Sequence, residues 1–188
     1  WRTMGVEVMG STPKFLPRYR TKSVERQMQE VEILVHKYHK KTLGWVDSTW
    51  NAIPEWTDAF CQRLLDDNLN VWQTAWVRAD CVVRDEKRGI LKKQVDAGLV
   101  QVVTGAERTT EQDLLQLKKH VTPSVSYEAF KIFREKYPQV YTIASFIYGM
   151  PDDDLETLKA LKKAVHSNFS DMVFLLPYTP FPGTEVWR

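Results

Sequence analysis

The apolar positions of this chain follow two alternating rhythms. Short runs rich in β-branched and aromatic residues alternate with longer stretches whose apolar residues return every three or four positions. These are the signatures of strands and amphipathic helices. Val6 to Met9 reads as a first short strand. Ser23 is placed to cap a helix running to about Lys40, with Val24, Met28, Val31, Val35 and Tyr38 along one face. Leu43 to Val46 is a second strand. Pro54 opens the next helix at a position that tolerates proline, and Trp56, Phe60 and Leu64 form its inward stripe. Asn70 to Val77 is a strand. Asp85 to Ala97 is a helix closed by Gly98, and Leu99 to Val103 a strand. Glu111 to Lys119 and Ser126 to Tyr137 are two helical pieces divided by Pro123. Val140 to Ile147 is a strand, Asp152 to Val165 a helix with an acidic start that suits its dipole, and Met172 to Leu176 the last strand.

Strands and helices in strict alternation imply parallel strands joined by right-handed crossovers. Helices then cover the sheet, and the strands are expected to be apolar on both faces. A partial (β/α)6 barrel of parallel strands, TIM-like in character and α/β in class, fits this order. A doubly wound open sheet has the same alternation, and the pattern alone does not separate the two. In either architecture, functional residues gather at the C-terminal ends of the strands. The distinctive short motifs fall there: Gly10-Ser11, Asp47-Ser48-Thr49, Arg78-Ala79-Asp80, Gly105-Ala106-Glu107, Gly149-Met150-Pro151 and Pro177-Tyr178.

Composition narrows the function without naming it. A length of 188 residues suits one domain over 1–188. No apolar run approaches the length of a membrane span, and no basic start followed by an apolar stretch marks a signal peptide. With two cysteines in no disulfide pattern, a reducing, cytoplasmic setting is the default expectation. The net charge is +2 and the basic residues are dispersed, which gives nucleic-acid binding little support. Cys61 and Cys81 lie 20 positions apart and match no metal or disulfide framework. His36 and His39 share a helical face but lack a third ligand, and His120 and His166 complete no metal pattern.

Several stretches, in order, resemble the radical-SAM core. Thr104-Gly105-Ala106-Glu107, preceded by Asp96-Ala97-Gly98-Leu99, resembles the family's "AGL…GxES", with Arg108 where Ser is usual. Phe146 to Pro151 resembles "FIxGxP", and Pro180 to Thr184 resembles "PxPGT". Tyr19 to Glu25 looks like the basic segment after the cluster loop, and Trp76 to Asp80 like the exit of the third strand. The likeness is to the branch with an upstream cobalamin-binding domain, which includes the anaerobic Mg-protoporphyrin monomethyl ester cyclase and several methyltransferases. It implies S-adenosylmethionine and a [4Fe-4S] cluster as cofactors, with cobalamin in this branch. It also implies a small organic substrate and an electron donor such as flavodoxin or ferredoxin. The implied activity is reductive cleavage of S-adenosylmethionine to a 5′-deoxyadenosyl radical, used for C–H activation, methyl transfer or cyclisation.

The resemblance also implies site residues. Glu107 matches a position associated with the S-adenosylmethionine moiety, where a carboxylate accepts bonds from an amino group or ribose. Arg78 offers a guanidinium fork to the cofactor's carboxylate. Asp47 and Ser48 lie where the family has a polar motif near the methionine end, and Gly149 permits close backbone approach, with adenine the expected neighbour. Gln73 and Tyr178 are expected to point from their strands into the cavity. Each has a plainer reading beside it: Glu107 and Arg78 could pair with each other, and Asp47 could be a turn residue.

One part of the family pattern is missing. The family's first strand ends in Gly-Cys-x-x-x-Cys-x-x-Cys-Ser, whose three thiolates hold the cluster. Here Gly10 is followed directly by Ser11. Either a three-cysteine segment belongs at this junction in the complete protein, or the chain is a cluster-less relative acting as a binding or interaction module.

Overall fold

The computed structural model describes residues 21–182 apart from 168. The expected strand at Val6–Met9, the Gly10-Ser11 junction and the Gly183-Thr184 tail lie outside the described residues. Helix α1 (Val24–Glu32) starts on the expected cap, with the Ser23 hydroxyl accepting from the Arg26 amide at 3.2 Å. It continues as a π-helical turn over Ile33–Lys37, so the helical run stops short of Lys40. Strand β1 (Thr42–Gly44) and helix α2 (Pro54–Asp66) follow, the latter opening on its proline.

Strand β2 is Trp72–Val77. The single helix expected over Asp85–Ala97 is instead two, α3 (Ala79–Lys87) and α4 (Ile90–Asp96). Gly89 lies between them at φ +72°, a left-handed conformation that ends one helix and lets the next begin. Strand β3 (Leu99–Glu107) runs past the expected end. Helix α5 is Glu111–Gln116, and α6 (Pro123–Lys136) begins on Pro123 itself, where the missing N–H costs nothing. Strand β4 (Tyr141–Tyr148), helix α7 (Leu155–Ser167) and strand β5 (Met172–Pro177) complete the described chain.

The five strands lie side by side in the order β1-β2-β3-β4-β5, and every pair is parallel. This decides between the two architectures. A doubly wound sheet reverses its strand order partway, sending helices to both faces. Here the order never reverses, so crossovers of one hand place the helices on one face. The sheet is the wall of a barrel-type fold.

The expectation of two covered faces holds in β3 and β4, where Val102 to Thr104 and Thr142 to Phe146 are all buried, and fails in the strands beside them. In β2, Gln73, Ala75 and Val77 are buried, whereas Trp72 and Trp76 are 62% and 43% exposed. Register continues that face from Trp76 through Val103 and Ile143, both buried, to Met172, which is 43% exposed. On the covered face, Phe60, Leu64, Val82, Leu91, Leu99, Val102 and Phe133 form the main core. Each such side chain contributes roughly 1.5–3 kcal/mol by leaving water. A smaller cluster of Ala106, Phe130, Ala144, Phe146 and Leu161 packs beyond it. Trp45 meets Phe60 edge-on with ring centroids 5.4 Å apart, and Trp56 stacks on the same ring at 5.2 Å.

Gln73 belongs to this core and does not point into a cavity. Its side chain is fully buried on the helix side of β2. Its carbonyl accepts from the Trp45 indole N–H at 2.9 Å, and its amide donates to the Ala97 carbonyl at 2.8 Å. It is a polar rivet between β1's exit, β2 and the end of α4. Replacing Gln73 with Leu leaves a buried indole donor and a carbonyl unpaired. The expected result is a loss of about 1–3 kcal/mol in urea unfolding.

Candidate functional site

Because all strands are parallel, their C-terminal ends share one rim. A hollow of about 490 Å³ opens there between the exits of β2 and β3. Its chemically active lining is Ser48, Thr49, Arg78, Glu107, Lys118, Lys119 and His120, with Trp76, Val77, Gly105 and Val121 as apolar or bare walls. Of the residues singled out in the sequence, Ser48, Arg78 and Glu107 meet in this space.

The turn carrying Arg78 is held from beneath. Trp50 donates its amide to the Trp76 carbonyl at 2.9 Å, laying the segment after β1 along the end of β2. The fully buried Asn51 then accepts from the Arg78 amide at 3.1 Å. Arg84 in turn donates to the Asn51 carbonyl at 2.6 Å and pairs with the buried Asp85 at 2.8 Å. Burial pushes the Asp85 carboxyl up, against the pull of its Arg84 and Gln94 hydrogen bonds. The Arg78 guanidinium itself forks onto Asp80, Nε at 3.0 Å and Nη2 at 2.7 Å, while half of the side chain faces solvent.

Glu107 occupies strained backbone. The pairing of β3 with β4 slips between Gly105 and Glu107, leaving Ala106 as a bulge. Glu107 then sits at φ +61°, left-handed for a residue with a side chain. The Arg108 amide closes a tight turn around it by donating to the Ala106 carbonyl at 2.8 Å. Such backbone costs of the order of 1–3 kcal/mol and concentrates at ligand-facing positions. The Glu107 carboxylate lies 2.7 Å from the Lys119 ammonium, which also donates to the Gly105 carbonyl at 2.9 Å. A Cβ on Gly105 would fall 2.1 Å from Glu107 Oε1, so only glycine lets the pair lie over the strand. Glu107 and Arg78 thus have separate partners, Lys119 and Asp80, and do not pair with each other.

The remaining sequence-derived residues lie elsewhere. Asp47 is exposed and lines a different hollow with Trp45, Trp50 and Trp56. Tyr178 follows β5 on the same rim, its amide donated to the Tyr148 carbonyl at 2.7 Å. Gly149 follows β4 on that rim at φ +79° but does not line the hollow, and its amide is donated to Asp153 at 2.7 Å. Sequence reasoning missed Asn51, Lys119 and Asp153. Asp153 was legible as an acidic residue shortly after a glycine turn, the pattern of a side chain that closes a loop on its own backbone. Asn51 and Lys119 owe their roles to contacts across the fold.

The described residues do not fit an iron–sulfur cluster. Cys61 and Cys81 are both free and buried. Burial pushes the Cys61 thiol up to about 12 and raises that of Cys81, so neither offers the thiolate a metal needs. Among the described residues, no three His, Cys, Asp or Glu side chains group to hold a metal ion. No described helix is long and apolar enough to cross a membrane.

No family model matches the chain. It is 28% identical over 178 residues to an uncharacterized methyltransferase of Pyrococcus horikoshii, covering 95% of this chain and 38% of the relative. It is 26% identical over 175 residues to the anaerobic magnesium-protoporphyrin IX monomethyl ester cyclase of Rubrivivax gelatinosus, covering 93% of this chain and 31% of the relative. The chain therefore spans about a third of the length of these curated relatives. Among solved structures, the cobalamin-dependent S-adenosylmethionine radical enzyme OxsB superposes with a TM-score of 0.67 at 18% identity, over 78% of this chain and 22% of that one. Coproporphyrinogen III oxidase from Escherichia coli, a radical SAM enzyme, gives 0.61 at 16% identity, over 88% of this chain and 40% of that one. The chain has the fold of a radical-SAM core. Within that class it resembles the cobalamin-binding branch.

Asp153 links this rim to acid stability. Burial raises its carboxyl, but the Arg108 hydrogen bond and the Met150 and Gly149 amides outweigh burial and hold it below the ordinary 3.8. A lowered carboxyl contributes stability that is present above its unfolded value and lost as pH falls through the folded one. Urea unfolding is therefore expected to favour wild type over Asp153→Asn at neutral pH, with the gap closing as pH drops below about 3.8.

Proposed function

We propose that this chain is the S-adenosylmethionine-binding core of a radical-SAM enzyme. The observation that carries this is the rim hollow, where a strained carboxylate, two ammonium-bearing lysines and a guanidinium converge beside bare glycine backbone. S-adenosylmethionine carries a matching set of groups: an amino group, a carboxylate, ribose hydroxyls and a sulfonium. Glu107 would accept from the amino group or the ribose, and Arg78 or Lys119 would receive the carboxylate. Ser48 adds a hydroxyl at the hollow's edge. Gly149 and Tyr178, on the same rim, would bound the ligand from the side of β4 and β5.

The reaction belongs to the complete enzyme. Methyl transfer and cyclisation, the activities named for the relatives, are the chemistry we expect there on a small organic substrate, with cobalamin and an electron donor as further participants. No step through a cluster follows from this chain, because its two cysteines are buried and unsuited. That same burial favours a second reading, a cluster-less barrel that binds S-adenosylmethionine or another ligand without radical chemistry. Anaerobic reconstitution with iron and sulfide separates them. Cluster absorption in the complete gene product supports the first reading, and its absence supports the second.

Binding is the test common to both. Titration calorimetry is expected to show S-adenosylmethionine binding that weakens about tenfold in Glu107→Gln and in Arg78→Ala, near 1.4 kcal/mol each. A wild-type chain that takes up no ligand, or variants that bind as wild type does, would remove the basis of the assignment.

A further inference from the structure

Arg108 stands where the family usually carries a serine, and the residue is all but sealed in the protein, 3% exposed. It reaches from the exit of β3 to the exit of β4. Its Nε donates to Asp113 at 3.1 Å, at the start of α5. Its Nη1 donates to the Ile147 carbonyl at 3.0 Å and to Asp153 Oδ2 at 3.1 Å, and Nη2 donates to Asp153 Oδ1. The same Asp153 Oδ2 accepts the Gly149 amide at 2.7 Å and the Met150 amide at 3.0 Å. The Gly149-Met150 turn is therefore tied, through one carboxylate and one guanidinium, to the residue that directly follows Glu107.

We propose that Arg108 is a positioning residue, a latch that makes the Glu107 bulge and the Gly149-Met150 turn move as one unit. This rests on the reading of the rim as an S-adenosylmethionine site. The physical case has three parts. The bidentate fork fixes both the distance and the angle between the two loops, which a point charge does not. Little water reaches the pair, since the side chains of Arg108 and Asp153 are 2% and 6% exposed, so the interaction is weakly screened. Neither loop is regular structure at this point: one is a bulge with left-handed backbone and the other a turn through a glycine at φ +79°. Without the latch, the bulge keeps its Lys119 pair and its register with Phe146, and the turn keeps its Asp153 bonds, but nothing fixes the angle between the two. Arg108 touches no ligand in this scheme and acts through Glu107 on one side and Gly149 on the other.

The test combines hydrogen exchange with binding. In wild type the Gly149 and Met150 amides are expected to be protected. In Arg108→Ser they should exchange at least tenfold faster, while Val102 in β3 and Ala144 in β4 keep wild-type rates. Arg108→Ser/Asp153→Ser also removes the carboxylate that accepts both amides, so it sets the upper limit of the local loss. Arg108→Lys should recover part of the protection. For binding, Arg108→Ser should weaken S-adenosylmethionine about tenfold, and should add little in a Glu107→Gln background, because the two act on one contact. Unchanged exchange at Gly149 and Met150 in Arg108→Ser overturns the latch. So does protection lost evenly along β3 and β4, which would mark a role in global stability alone. If wild type binds no S-adenosylmethionine, the site assignment fails, and the exchange result still decides the latch.

Discussion

A single topological constraint organises this molecule. Five parallel strands follow one another across the sheet in chain order, so each crossover repeats the last. Two consequences follow. Every helix of a crossover goes to the same face, which gathers the core on one side and leaves Trp72 and Trp76 on the other. Every strand also ends on the same rim, which brings together residues as far apart in sequence as Ser48 and Lys119. Neither the core nor the site would exist with one strand transposed.

The rim is built from irregularities in otherwise regular elements. Ala106 bulges a strand, and Glu107 and Gly149 take left-handed backbone. Named partners hold the rim: Asn51 beneath Arg78, Lys119 on Glu107, Asp153 on the Gly149 turn. Burial supplies the bulk of the favourable energy on the helix side, where strict packing leaves little freedom. At the rim, Trp76, Val77 and Val121 supply apolar walls, and directional hydrogen bonds and charge pairs set the positions of the polar groups between them.

This division explains what was legible in the sequence. Periodicity located all five described strands, and capping signals located the starts of α1 and α2, because these report local preference and one-sided burial. The strand order was not legible, since a barrel wall and a doubly wound sheet share the same alternation. Arg78 and Glu107 were recognised from short motifs at strand ends, and they do share a hollow. Gln73 was misplaced because alternation along β2 says that neighbours face opposite ways, without saying which way is inward. A glutamine between Trp72 and Thr74 looks like a cavity residue until its indole and carbonyl partners are seen. Arg108 was visible only as a departure from a motif. Its tie to Asp153 crosses 45 positions and has no local signature.

Trp76 has an optical consequence. Its indole is partly wetted, stands on the open face of the sheet and forms part of the wall of the rim hollow. Any molecule that settles there strips solvent from that ring, and its emission then shifts to shorter wavelength. Trp45 and Trp56, packed around Phe60, lie outside that hollow. The chain carries a built-in fluorescent gauge of occupancy, readable without label or cofactor.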